Sequence, residues 1–167
     1  DSYVASIIAA MILGVASAKA YGTIMVILPL LYAAGGIVAS VLGIFLVRVG
    51  EGGNPGASLN RGTYATTAIF AILTQFITAA QNVDMGIWYA MTAGLISGVI
   101  IGLISDYYTS IDRTPAQRTA EAAQTGAAIS VITGLSYGFL SILFPLVGIA
   151  VASIVAYNFA GLYGVGI

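Results

Sequence analysis

Residues 122–167 form an unbroken run of 46 positions without a single charged side chain. A soluble domain, about one quarter charged on average, does not leave such a stretch. A bilayer does the reverse and demands about 20 apolar residues for each spanning helix. The run also carries Gly126, Ser130, Gly134 and Gly138 at intervals of four, with Ser141 close behind. Small residues so spaced stack on one helical face and let a second backbone approach closely, which is how helices associate in lipid. The stretch therefore reads as a membrane helix built for tight packing.

The rest of the chain follows the same pattern, with 59% hydrophobic and 7% charged residues and a mean hydropathy of +1.02. The fold class expected is all-α, a polytopic transmembrane helix bundle of about five spans. These are placed at 2–18, 23–47, 63–81, 85–106 and 124–157, with the start of a further helix at 161–167. Gly94, Gly98 and Gly102 give the fourth span a second small-residue seam. Pro29 interrupts the second span, and a proline inside a membrane helix kinks it and frees a carbonyl that a neighbour must satisfy. The third span places Thr63, Thr67, Thr74 and Thr78 near one face, where hydroxyls can bond across helices or to their own backbone. The fifth span is read as one helix bending at Pro145, because an irregular loop cannot lie exposed to lipid.

The polar segments 48–62 and 106–121 are expected as loops. The first is dense in Gly, Asn and Pro. Arg48, Arg61, Arg113 and Arg118 fall on one side of the bundle and Lys19 alone on the other, so the positive-inside rule makes both loops cytoplasmic. Trp88 and Tyr89 then sit at the opposite interface. Both ends of the chain read as cut from something longer, since Asp1 leads straight into an apolar segment.

Composition also excludes functions. Without cysteine or histidine there is no thiol chemistry, no Ser-His-Asp site and no common zinc ligand. A net charge of −1 gives no reason to expect nucleic acid. The glycine-rich loop from Gly50 lacks the Lys-Ser/Thr ending of a phosphate cradle. Asp1, at the head of the first span, admits two readings: a helix N-cap, or a carboxylate on an ion path. Asp106 reads as a solvated residue at a helix exit. On the residues alone, a small carrier or a structural packing subunit remains open beside an ion-moving function.

Particular strings narrow this. Asp1-Ser2-Tyr3-Val4-Ala5-Ser6, running on to Gly14, resembles the sixth membrane helix of the membrane-integral pyrophosphatases, which couple pyrophosphate hydrolysis to pumping of H+ or Na+. Asn54-Pro55-Gly56, Leu59-Asn60-Arg61-Gly62-Thr63-Tyr64 and Asp106-Tyr107-Tyr108-Thr109-Ser110 extend the match. So do Thr125-Gly126-Ala127-Ala128, Gly134-Leu135, Gly138, Ser141, Pro145 and Gly161-Leu162-Tyr163-Gly164. The resemblance implies a segment of a sixteen-helix pump, from the sixth helix to the start of the eleventh. Asp1 stands where the family has a gate glutamate, one methylene longer, which makes Asp1 and Ser2 the candidate ion gate. Ser130 and Leu140 replace a family asparagine and a frequent glutamate. The resemblance also implies Mg2+ as cofactor, K+ dependence in some members, and a homodimer. It puts the catalytic and metal ligands outside these residues, so the segment alone is expected to be inactive.

Overall fold

The computed structural model describes residues 2–46 and 55–167. Among them there are six helices and no strand: α1 Ser2–Tyr21, α2 Ile24–Leu46, α3 Pro55–Ala80, α4 Met85–Thr109, α5 Thr114–Thr125 and α6 Ala127–Gly166. Four stretches are long and apolar enough to cross a membrane: Ile24–Phe45, Ser58–Ala80, Met85–Thr125 and Ala127–Gly166. The third contains the turn between α4 and α5, so α4 is its spanning part. The apolar part of α1, Tyr3–Ala16, is shorter.

Each boundary has a local cause. α1 stops before Gly22, whose φ of +82° is the left-handed conformation that closes helices. α4 starts at a cap, the Gly86 amide donating to Asp84 Oδ1 at 2.8 Å. Within α6 the helical path is lost at Ala160 and Gly161, and the φ of +60° and ψ of −150° at Gly161 lie in a region essentially confined to glycine.

Two expected loops are in part helical. Residues 55–62 are the opening turns of α3, and the segment 106–121 is loop only at 110–113. The polarity of 106–121 conceals a helix-starting proline: Pro115 sits in the first turn of α5, where its missing N–H is no loss. The Ala, Gln, Arg and Glu residues that follow are good helix formers. α5 buries Pro115, half-buries Ala116, Thr119 and Ala122, and leaves Gln117, Arg118 and Glu121 exposed.

The helices gather into two compact units. One comprises the residues up to Ala93 with Val155–Ile167, the other Gly94–Ile154. In the first, α2 packs against both α1 and α3. Its buried residues Met25, Leu28, Pro29, Tyr32, Gly35, Ala39 and Gly43 recur every three or four positions, the stripe of a helix facing inward. Ala10 and Gly14 of α1, Thr74 and Thr78 of α3, Ile87, Ala90 and Met91 of α4, and Ala156 and Tyr163 of α6 share that core.

The second unit is thinner. Its interhelical hydrogen bonds run from Ser97 Oγ to the Gly148 carbonyl at 3.1 Å and from Arg118 Nη1 to Tyr137 Oη at 3.5 Å. Ile129, Val131, Ile132, Leu135 and Phe139 of α6 all stay exposed. Apolar surface on this scale belongs against lipid or further helices.

Candidate functional site

Asp1, the first gate candidate, lies outside the described residues. Ser2 opens α1, and its side chain also lies outside them. Directly beyond it, Tyr3 and Ser6 of α1 line an open cavity of about 150 Å³ with Pro29 and Tyr32 of α2, Phe70 of α3 and Met91 of α4. Tyr3 Oη donates to the Ala33 carbonyl at 3.4 Å, across the α1–α2 seam. At about 30 Å³ per water, this space holds several, and three hydroxyls line it.

Below the cavity, α2 and α3 are joined by a chain of hydroxyls. Thr74 Oγ1 donates to the Phe70 and Ala71 carbonyls at 2.8 and 3.0 Å, and Thr78 Oγ1 donates to the Thr74 carbonyl at 2.7 Å. A threonine hydroxyl has one proton, so Thr78 can only accept from Tyr32, whose phenol lies in hydrogen-bond contact with it. All three residues are buried. Among the described residues no buried side-chain polar atom lacks a partner. The face of α3 expected to carry bonding hydroxyls does so at Thr63, Thr74 and Thr78, and Thr66 adds a bond to the Gly62 carbonyl at 2.9 Å.

The carbonyl released by Pro29 is that of Met25, and it is satisfied from far along the chain. Tyr163 Oη donates to it at 2.7 Å. Gly14 of α1 lies against the same oxygen, so close that a Cβ there would collide with it. Other helices meet by the same device. A Cβ on Gly43 would strike Thr66 Oγ1, one on Gly166 would strike Leu13 Cδ1, and one on Gly86 would lie 2.6 Å from the Phe159 carbonyl.

The seven small residues expected to form packing seams are arranged differently. A Cβ on Gly94, Gly98, Gly102, Gly126 or Gly138 would meet nothing within 4 Å, and one on Gly134 would meet only Thr119 Cγ2, at 3.7 Å. Ser130 is half-buried and, with Gly134 and Gly138, lines an open groove of about 580 Å³ beside Thr119 and Tyr137. The close-approach glycines that sequence reasoning missed had a signal of their own. Ala10 and Gly14, and then Gly35, Ala39 and Gly43, are small residues at intervals of four, and they coincide with buried stripes.

The polar groups elsewhere are structural or exposed. Asp84 caps α4, Asp106 is an exposed residue near the end of α4, and the Arg113 guanidinium lies 5.9 Å from the centre of the Tyr107 ring. Among the described residues no three His, Cys, Asp or Glu side chains come close enough to hold a metal ion. Magnesium takes hard oxygen ligands, carboxylates above all, and the donors described here are isolated hydroxyls and carbonyls, so they do not fit it.

The family model for inorganic H+ pyrophosphatase matches residues 1–167. A K(+)-insensitive pyrophosphate-energized proton pump 2 of Moorella thermoacetica is 38% identical over 94% of this chain and 24% of its own length. A K(+)-insensitive pyrophosphate-energized proton pump of Caldanaerobacter subterraneus is 36% identical, and a putative K(+)-stimulated pyrophosphate-energized sodium pump of Clostridium tetani is 34% identical; each match takes in 100% of this chain and 26% of the relative. The chain thus spans about a quarter of the length of the curated relatives it matches. With an all-helical, lipid-suited architecture and a family match from its first residue to its last, the chain belongs to the inorganic H+ pyrophosphatase family.

Proposed function

We propose that this chain is part of a pyrophosphate-energised cation pump, in which α1 carries the ion gate at Asp1 and Ser2 and the remaining helices hold α1 in place. The observation that carries the reading is the match over the entire chain to relatives named as proton and sodium pumps. The geometry supports it. α1 enters the first unit beside a hydroxyl-lined cavity and is seated by the Tyr3 bond and by the Gly14 contact with α2. A carboxylate at its head, in or near lipid, is costly unless it meets water or a cation, which is what a gate provides.

Pyrophosphate and its Mg2+ bind, on this reading, to other helices of the full-length protein, which acts as a homodimer. The arginine-bearing segments around Arg48, Arg61, Arg113 and Arg118 face the cytoplasm. Gly94, Gly98, Gly102, Gly126, Ser130, Gly134 and Gly138 receive further helices of the same protein.

The test uses the full-length pump in sealed vesicles. Adding Mg2+ and pyrophosphate should drive cation uptake, with a pH-sensitive dye responding directly if H+ is carried, and uptake requiring added Na+ if sodium is. Titrating K+ then assigns the potassium response. Asp1→Asn should leave hydrolysis measurable while uptake collapses. An Asp1→Asn pump that moves as many cations per pyrophosphate as the parent rules the gate out.

A further inference from the structure

Three segments of the first unit meet at one oxygen, the carbonyl of Met25. Pro29 has no N–H to offer it, so α2 is open at this point of its own ladder. Tyr163 supplies the missing donor from the far side of the break at Ala160 and Gly161. Gly14 brings α1 onto the same oxygen with no room for a side chain between them. Next to this junction lies a cavity of about 300 Å³, lined by Met25, Asp84, Ile87, Phe159, Gly161 and Tyr163. The residues beyond the break therefore have space to shift if the bond opens.

We infer that Tyr163 is a positioning residue for cation transfer, acting on α1 through the Met25 carbonyl. The inference rests on the pump reading above. α1 runs without interruption from Ser2 past Gly14, and at 1.5 Å per residue its head lies about 18 Å from the junction. A helix of that length moves as a rod, so a tilt at Gly14 displaces the first turn. Without the phenol, the Met25 oxygen must take a water or another donor. Gly14 leaves no space on the α1 side, so the replacement comes from the cavity lined by Met25 and Tyr163, and a mobile water there no longer holds the Met25 oxygen fixed against α1.

The bond can be removed and then replaced by a different donor. Tyr163→Phe deletes the hydroxyl and keeps the ring. Pro29→Ala restores an amide N–H within reach of the Met25 carbonyl, in the ordinary helical register. Both variants and their combination are made in the full-length pump, and pyrophosphate hydrolysis and cation uptake are measured in the same vesicles. Tyr163→Phe should keep hydrolysis and lower the cations moved per pyrophosphate roughly two- to tenfold, the range corresponding to one buried hydrogen bond. In the Pro29→Ala background the same change should have no effect on that ratio.

An unchanged ratio in Tyr163→Phe overturns the inference, and so does a fall that persists in the double variant. Should Tyr163→Phe fail to assemble, the double variant must recover a folded pump, and failure of both overturns it as well. Thermal melting of the four purified proteins follows the same cycle. If the unmutated pump neither hydrolyses nor transports, the pump reading has failed by itself, while a melting penalty for Tyr163→Phe that survives Pro29→Ala separately rejects the Met25 link.

Discussion

The two units of this chain hold similar small residues and use them differently. Around α1, α2 and α3 the glycines are filled: Gly14 meets a carbonyl, Gly43 meets Thr66, and the buried hydroxyls beside them are all paired. From Gly94 to Ile154 the glycines face open space or, at Gly134 and Gly148, make no more than ordinary van der Waals contact, and many apolar side chains of α6 stand exposed. In lipid there is no hydrophobic contrast to pull helices together, so contact depends on shape and hydrogen bonds. Spacing by four residues makes a helix able to pack. Whether it does so depends on a partner with a matching surface, which the first unit contains.

The largest effect expected from breaking this contrast is at Tyr32, which fills the first core and donates to Thr78. Tyr32→Ala should cost about 3 kcal/mol, the low end for truncating a buried aromatic, because lipid weakens the transfer part of that cost. Thermal inactivation of the full-length protein in mild detergent measures it, and a loss too small to detect would mean that the α2–α3 seam carries little stability. Next comes a single methyl group placed in either unit. Gly14→Ala should cost about 1–3 kcal/mol, since the new Cβ collides with backbone that cannot rotate aside. Gly98→Ala meets nothing within 4 Å among these helices and alanine favours the helix, so a cost above about 0.5 kcal/mol in the full-length protein reports a further helix seated on that seam. A cost within that bound would mean that the Gly98 seam stays open in the whole protein and would overturn the packing role proposed for it.

Much of the fold was legible before any coordinates. The apolar runs and the absence of charge specify membrane-suited helices, and Pro29 announces a released carbonyl by backbone chemistry alone. What could not be read was the identity of the donor. Tyr163 lies 138 positions beyond Met25, and no local rule connects them. α5 was missed because a search for apolar spans treats Asp112, Arg113, Arg118 and Glu121 as loop polarity, although Pro115 and the alanines around it favour a helix. The longest regular ladders, from Gly94 to Gly102 and from Gly126 to Gly138, meet little among these helices, whereas the shorter pair of Ala10 and Gly14 is buried. Asp1 was legible from the residues as either a helix cap or a carboxylate on an ion path, and the resemblance chose the gate between them.

At Thr78 the hydroxyl hydrogen is directed at the Thr74 carbonyl of the same helix, so α3 satisfies that donor by itself and offers its neighbour a lone pair. A phenol on the facing helix can use that lone pair and a carbonyl oxygen cannot, so one atom favours a single register of α2 against α3.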